Sequence, residues 1–228
     1  MKKIASIFSI ILMTLGMANA QNFSADQNQP QEPQQNQPLT YNDYTPPTRQ
    51  AIWSVDYQMG LTTGEARDFV SKYGTRGFSV SGEAFMTDKI TLGGSIGWNG
   101  FYEKFPRRTY HIGEGSDITG VKSNSIYTLP IMVTGGYYFL PDAFIQPYAK
   151  LGVGVVYAET RTDIGYVYVA DEEWRFGITP EVGVYVPFGI DSNVGLIAKA
   201  KWNVVFYNAH DISTLSYFNF NIGLGFTF

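Results

Sequence analysis

The chain has 228 residues, a net charge of −4 and no cysteine, which excludes disulfides, thiol chemistry and a lipid-anchored cysteine and leaves no basic footprint for nucleic acid. Only 16% of its residues are charged, against about 25% in ordinary globular proteins, while Gly, Tyr and Phe are abundant. Beyond the N-terminus no segment approaches the roughly eighteen apolar residues of a membrane helix, so any membrane route must use strands closed into a barrel.

Lys2 and Lys3 give a positive start, Ile4 to Met17 an apolar run, and Ala18-Asn19-Ala20 a small-x-small cleavage site. That order predicts a cleaved secretory signal peptide over residues 1–20, and the run is short for an anchor helix of about twenty residues. Residues 21–50 are dominated by Gln, Asn and Pro, with almost nothing apolar to bury. Such a tract cannot offset its ordering entropy and is expected to be a disordered linker arm, a spacer rather than a tether.

From 51 to 228 apolar residues recur at every second position, which places them on one face of a strand. In the first segment Trp53, Val55, Tyr57, Met59 and Leu61 oppose Ser54, Asp56, Gln58, Gly60 and Thr62. The same alternation runs through 78–86, 90–102, 127–139, 145–157, 176–186 and 194–206. In the last segment, within 215–228, Phe218, Phe220, Ile222, Leu224, Phe226 and Phe228 oppose Tyr217, Asn219, Asn221, Gly223, Gly225 and Thr227. These eight strands are each long enough for the ~9–11 residues of a tilted membrane strand. Pro147 and Pro180 are expected to mark bulges or strand ends, since each removes a ladder hydrogen bond.

The connections alternate in length. Segments 87–89, 140–143 and 189–193 are short, 63–75, 103–123 and 159–173 are long, and 208–214 is intermediate. Short turns belong in the periplasm and long loops outside. A soluble lipocalin-like barrel would need a charged outer face. Here the polar face is Gly, Ser, Thr, Asn and Tyr, and aromatics gather at both strand ends. Trp53, Phe139, Phe144, Phe188, Phe226 and Phe228 mark one rim, and Trp98, Tyr102, Tyr157, Phe206 and Phe218 the other, as in interfacial girdles. The fold class is therefore all-β: an eight-stranded antiparallel up-and-down transmembrane barrel with a disordered N-terminal arm.

The ending resembles the recognition signal on the last strand of bacterial outer-membrane barrels, with Asn221, Gly223, Phe226 and Phe228 at its defined positions. In architecture, 51–228 resembles the small eight-stranded barrels of the OmpA membrane-domain and OmpX family. The resemblance implies location in the outer membrane of a Gram-negative cell and contact with its lipid and lipopolysaccharide. It also implies that the barrel-assembly machinery reads the last strand, by edge pairing. Unlike full OmpA proteins, the chain is expected to end at the eighth strand without a peptidoglycan-binding domain.

The inward charges nearly balance: Asp56, Glu83 and Glu181 against Lys150, Lys199 and Lys201, with Arg175 nearer the loops. Glu181 is expected to pair with Lys150 on one neighbouring strand and Lys199 or Lys201 on the other. An eight-stranded barrel is just wide enough for its own side chains, so these residues read as an interior ion-pair plug rather than a paired-carboxylate active site. No cofactor or metal is expected. His111 beside Ser116 and His210 beside Ser213 lack a nucleophile-elbow context, so no enzyme is expected. Arg107, Arg108 and Tyr110 in the second loop and Trp174 in the third are candidate contacts for an extracellular ligand, and the two arginines for lipopolysaccharide phosphates.

The expected function is a structural or surface-interaction outer-membrane protein. The alternative is a small porin or a lateral-exit channel for apolar solutes. Because Phe228 serves both as insertion signal and as girdle, its deletion should lower the yield of assembled barrel more than the stability of barrels that do assemble. Normal assembly, measured by heat-modifiable gel mobility, would remove the signal role.

Overall fold

The alternation of apolar and polar residues becomes a closed sheet in a computed structural model that describes residues 49–111, 117–165, 167–189, 192–206 and 214–228. The expected signal peptide, residues 21–48 of the arm, Ser116, His210 and Ser213 lie outside the described residues. The elements are β1 (Ala51–Thr63), α1 (Glu65–Phe69), β2 (Arg76–Phe85), β3 (Ile90–Lys104), β4 (Arg108–His111) and β5 (Asp117–Gly120). They continue as β6 (Lys122–Tyr138), β7 (Gln146–Ile164), β8 (Val167–Pro187), β9 (Val194–Val205) and β10 (Leu215–Thr227).

Eight of these strands close into one antiparallel barrel in the order β1-β2-β3-β6-β7-β8-β9-β10, with β10 returning to β1. The seam runs from Ile52 opposite Thr227 to Thr63 opposite Ser216. Arg49 and Gln50, the last residues of the expected arm, already meet the barrel. The Gln50 amide donates to the Phe228 carbonyl at 2.6 Å, and the Phe85 amide to the Gln50 carbonyl at 2.9 Å. Burial is inside out: Phe220 is 56% exposed and Asn219 beside it 1%. Strand alternation has placed the apolar residues outward all round.

One expectation about the connections is corrected, and the other two long connections carry structure of their own. Segment 159–173 is mostly strand, because β7 and β8 stay paired to Ile164 opposite Val167 and turn at Gly165, whose φ of 62° suits a residue without Cβ. Its charges break the apolar alternation without lowering the extended propensity of its Thr, Val and Tyr residues. Segment 103–123 holds the β4–β5 ribbon, with Arg108 opposite Gly120 and Thr109 opposite Thr119. Segment 63–75 holds α1, entered through Gly64 at φ 59°.

One of the two prolines also differs from expectation. Pro147 does lie at a strand start. Pro180, however, lies mid-strand, and the β8–β9 ladder stops at Ile178 opposite Val204 and resumes at Glu181 opposite Lys201 in unchanged register. Pro130 interrupts β3–β6 in the same way, between Ile96 opposite Ile131 and Asn99 opposite Thr128. A missing N–H thus removes local bonds without inserting a bulge.

Strand curvature in so narrow a barrel brings backbones close at particular glycines. A Cβ on Gly154 would stand 2.1 Å from the Ile131 carbonyl oxygen, whereas one on Gly135 would meet nothing within 4 Å. Gly154→Ala should therefore destabilise the folded barrel by about 1–3 kcal/mol through overpacking. Gly135→Ala should leave the urea midpoint unchanged, and equal midpoints for the two variants would contradict this packing.

Candidate functional site in the lumen and at the outer rim

The interior is stratified along the barrel axis. Nearest the short turns is an aromatic floor of Tyr138, Tyr148 and Tyr185, all buried, with Phe85 packed 5.3 Å from the Tyr138 ring. Ile52 and Ile197 pack in the same cluster as Tyr185. Arg49 reaches this floor, donating from Nη1 to Gln146 Oε1 and lying 5.2 Å over the Tyr185 ring.

Above the floor is the charged layer. Lys199 Nζ is 2.7 Å from Asp56 Oδ2, and Lys150 Nζ is 2.5 Å from Glu83 Oε1. Asp56 Oδ2 also accepts from the Ser54 and Ser79 hydroxyls at 3.0 and 3.1 Å, and Glu83 from Thr91 at 2.8 Å. Glu181 stands in register between Lys150 and Lys201, at the looser distances of 3.9 and 3.5 Å. The two tightest pairs join non-adjacent strands, β9 to β1 and β7 to β2, across the lumen. Neighbour-strand reasoning could not have found them. The Lys150 ammonium also lies 4.0 Å over the Tyr148 ring, a cation–π contact that helps to replace lost water.

Next comes a layer of amides. Asn219 Nδ2 donates to Gln58 Oε1 and Asn99 Oδ1, both at 2.8 Å, and Thr128 donates to the Tyr217 hydroxyl at 3.0 Å. A cavity of about 10 Å³ lies against Gln58, Gly97, Pro130, Thr179, Lys201 and Asn203, where the two proline breaks face the lumen. That is room for about one water molecule.

The outer end of the lumen is apolar, which the sequence reading did not anticipate. Phe101, Ile126, Met132, Val156, Ala158, Val205, Leu215 and Tyr217 form a buried cluster, capped by Ala66 of α1 and by Val70, the residue that ends the helix. Phe101 and Tyr217 meet edge to face at 5.4 Å. The cap is tied down by Thr62 donating to the Val70 carbonyl, by Asn124 donating to the Phe69 carbonyl at 2.7 Å, and by the Ser71 amide donating to Glu103 at 2.6 Å. The one available signal was that these inward-parity positions are apolar near the outer strand ends.

At the outer rim, the tip of the β7–β8 hairpin leans on the base of the β4–β5 ribbon, through the Gly165 amide donating to the Val121 carbonyl at 3.3 Å. Arg107 and Arg108 are exposed at the ribbon's start. Tyr110 lies on β4, and its side chain is outside the described residues, as is that of His111. Trp174 is a β8 residue rather than a loop residue: it is 57% exposed, opposite Tyr157, with rings 5.5 Å apart. It continues the outward row of Phe176, whose ring stacks 6.1 Å from Phe206. Trp98 against Tyr127 at 6.1 Å and Trp202 against Phe218 at 5.8 Å extend this aromatic belt.

The four terminal residues singled out by sequence are split between the faces of β10. Asn221 points into the lumen and donates to Ser79 at 3.2 Å, and Gly223 faces Asp56 across the seam. Phe226 lies opposite Trp53, and Phe228 is an exposed aromatic at the inner rim.

An apolar, aromatic exterior around a charge-paired interior reverses the arrangement of a water-soluble barrel and defines a transmembrane β-barrel of the bacterial outer membrane. No protein-family model and no curated protein sequence matches the chain. Among solved structures, the barrel is similar to Ail, the attachment invasion locus protein of Yersinia pestis. The TM-score is 0.50 at 10% identity, over 79% of this chain and 99% of that one. It is also similar to Neisserial surface protein A, with a TM-score of 0.53 at 14% identity, over 78% and 97% of the two chains. At these identities the likeness is one of fold.

Removing one member of a buried pair leaves the other charge uncompensated. Asp56→Ala would leave Lys199, whose side chain is 1% exposed, with Ser54 at 3.2 Å as its remaining partner among the described residues. The expected loss is about 3–5 kcal/mol in urea unfolding, largely recovered when Lys199→Met is added. An unchanged midpoint for Asp56→Ala would contradict a stabilising role for the pair.

Proposed function

We propose that this protein is a structural and surface-interaction barrel whose lumen is plugged by its own side chains and whose outer hairpins present the binding surface. The observation that carries this reading is the pair of lysine–carboxylate contacts spanning the lumen, at 2.5 and 2.7 Å, between an aromatic floor and an apolar, capped outer end. Ion pairs closed across an eight-stranded lumen leave no continuous water path. The outer β7–β8 hairpin and β4–β5 ribbon stand where an adhesin would present its contacts, and the names of Ail and Neisserial surface protein A agree with such a role.

The partners follow from the same surfaces. The apolar belt contacts outer-membrane lipid, and exposed Arg107 and Arg108 suit the phosphates of lipopolysaccharide or an anionic extracellular ligand. Trp174 suits the membrane interface beside Tyr157. Before the seam closes, β10 offers the assembly machinery a free edge carrying Asn221, Gly223, Phe226 and Phe228. No enzymatic step and no cofactor is part of this reading.

A second reading, a small channel with lateral exit for apolar solutes, draws on the apolar lining under α1. Planar-bilayer recording separates the two. The plugged barrel should give no stable ion-sized steps, and single-step conductance from the wild-type refolded protein would overturn it. Arg107→Ala with Arg108→Ala should weaken retention on lipopolysaccharide-coated beads several-fold and leave barrel stability unchanged. Unchanged retention would remove these arginines from the interaction surface.

A further inference from the structure

Among the described residues, three carboxylates and three lysines balance in the charged layer, and Arg49 adds one more positive charge at the inner mouth. Among the described residues Arg49 meets an amide and an aromatic ring but no carboxylate. Its Nε is buried and unpartnered. Gln146 is fully buried, and its Oε1 accepts from Arg49, which fixes the amide so that the donor Nε2 is the unpartnered end. The buried Tyr138 hydroxyl is a third polar group without a partner among the described residues.

These groups share one part of the lumen wall. Gln146 stands opposite Tyr185 on β8, and Tyr138 on β6 stands opposite Tyr148, two residues from Gln146 on β7. All project inward at the same end of the barrel. Each unpartnered group can donate a hydrogen bond, and one carries a full positive charge. Buried donors without an acceptor are costly, and a guanidinium beside an amide and a phenol matches a carboxylate or phosphate better than it matches a neutral acceptor.

We propose that the inner mouth of the barrel is a binding site for one small oxyanion, of the carboxylate or phosphate class, held by Arg49 Nε and Gln146 Nε2 with the Tyr138 hydroxyl as third donor. Arg49 is the half-buried member, so an anion arriving from the inner side meets its guanidinium first. The site lies at the opposite end from the hairpins that carry the surface-interaction reading and does not depend on them.

The test uses the full chain refolded in zwitterionic nanodiscs, with sodium phosphate or sodium acetate compared against sodium chloride at equal ionic strength. At about ten times its Kd, the bound ion should raise the thermal unfolding midpoint by about 3–6 °C. It should also shift the Gln146 side-chain amide resonance. Arg49→Ala should abolish both effects, Gln146→Ala should abolish the rise in the unfolding midpoint, and Arg107→Ala should keep both. If Gln146→Ala fails to fold, Arg49→Ala and Arg49→Lys decide, because residue 49 precedes the first strand. A response to both ions assigns a general oxyanion site, and a response to one assigns its class. No response to either ion, or an undiminished response in Arg49→Ala, would overturn the proposal.

Discussion

In hydrocarbon there is no water to bond to an unpaired backbone amide, so a sheet can cross a membrane only if its first strand finds its last. The pairing of β1 with β10 meets that requirement along the whole length of the seam, and the other features of the molecule follow from it. Closure with eight strands fixes a narrow interior. Alternation then sends one side chain of every two into that interior and the other towards lipid. The outward set can be apolar and loosely specified, as the exposed Val, Leu, Ile and Phe residues are. The inward set has to fill a confined space with its polar groups satisfied.

The layered lumen is the outcome of that second demand. Charges sit where they can reach across to one another, amides bond above them, and tyrosine rings close the inner end. At the outer end, where water is near, the space is filled by apolar side chains and a short helix folded in from the first outer connection. Glycine completes the packing. Gly223 allows β10 to approach β1 so closely that a Cβ would stand 2.2 Å from the Val55 carbonyl oxygen. A residue that the terminal pattern marks as part of a signal is therefore also required by the closed seam.

Much of this was legible in the sequence, because a period of two is a direct record of which face each residue occupies. Val55, Asp56, Lys199, Phe220 and Asn221 all fall on the faces that alternation assigns them. Strand order followed from the short and long connections. The failures have physical causes. The hairpin over 159–173 carries Glu, Asp and Arg on an extended backbone beyond the membrane, where lipid no longer imposes an apolar face. Five residues of α1 are too few to display a 3.6-residue period. Arg49 sits in a polar tract and joins the lumen only because the neighbouring backbone extends the seam. The pairs Lys199–Asp56 and Lys150–Glu83 depend on the diameter and closure of the barrel, which no local pattern encodes.

The barrel's faces are inverted, with apolar residues turned to lipid and polar residues to a filled interior. Because the chain has no cysteine, single spin labels can be placed without background. Labels at Val133 and Ile222 in lipid-reconstituted protein should relax strongly with oxygen, which concentrates in hydrocarbon, and weakly with a water-soluble nickel chelate. Labels at Thr134 and Asn221 should be shielded from both. Strong nickel relaxation at Val133 and Ile222 would mean that the apolar face is not in lipid, and strong nickel relaxation at Thr134 and Asn221 that the interior is open to water. Either result would contradict the inversion of faces.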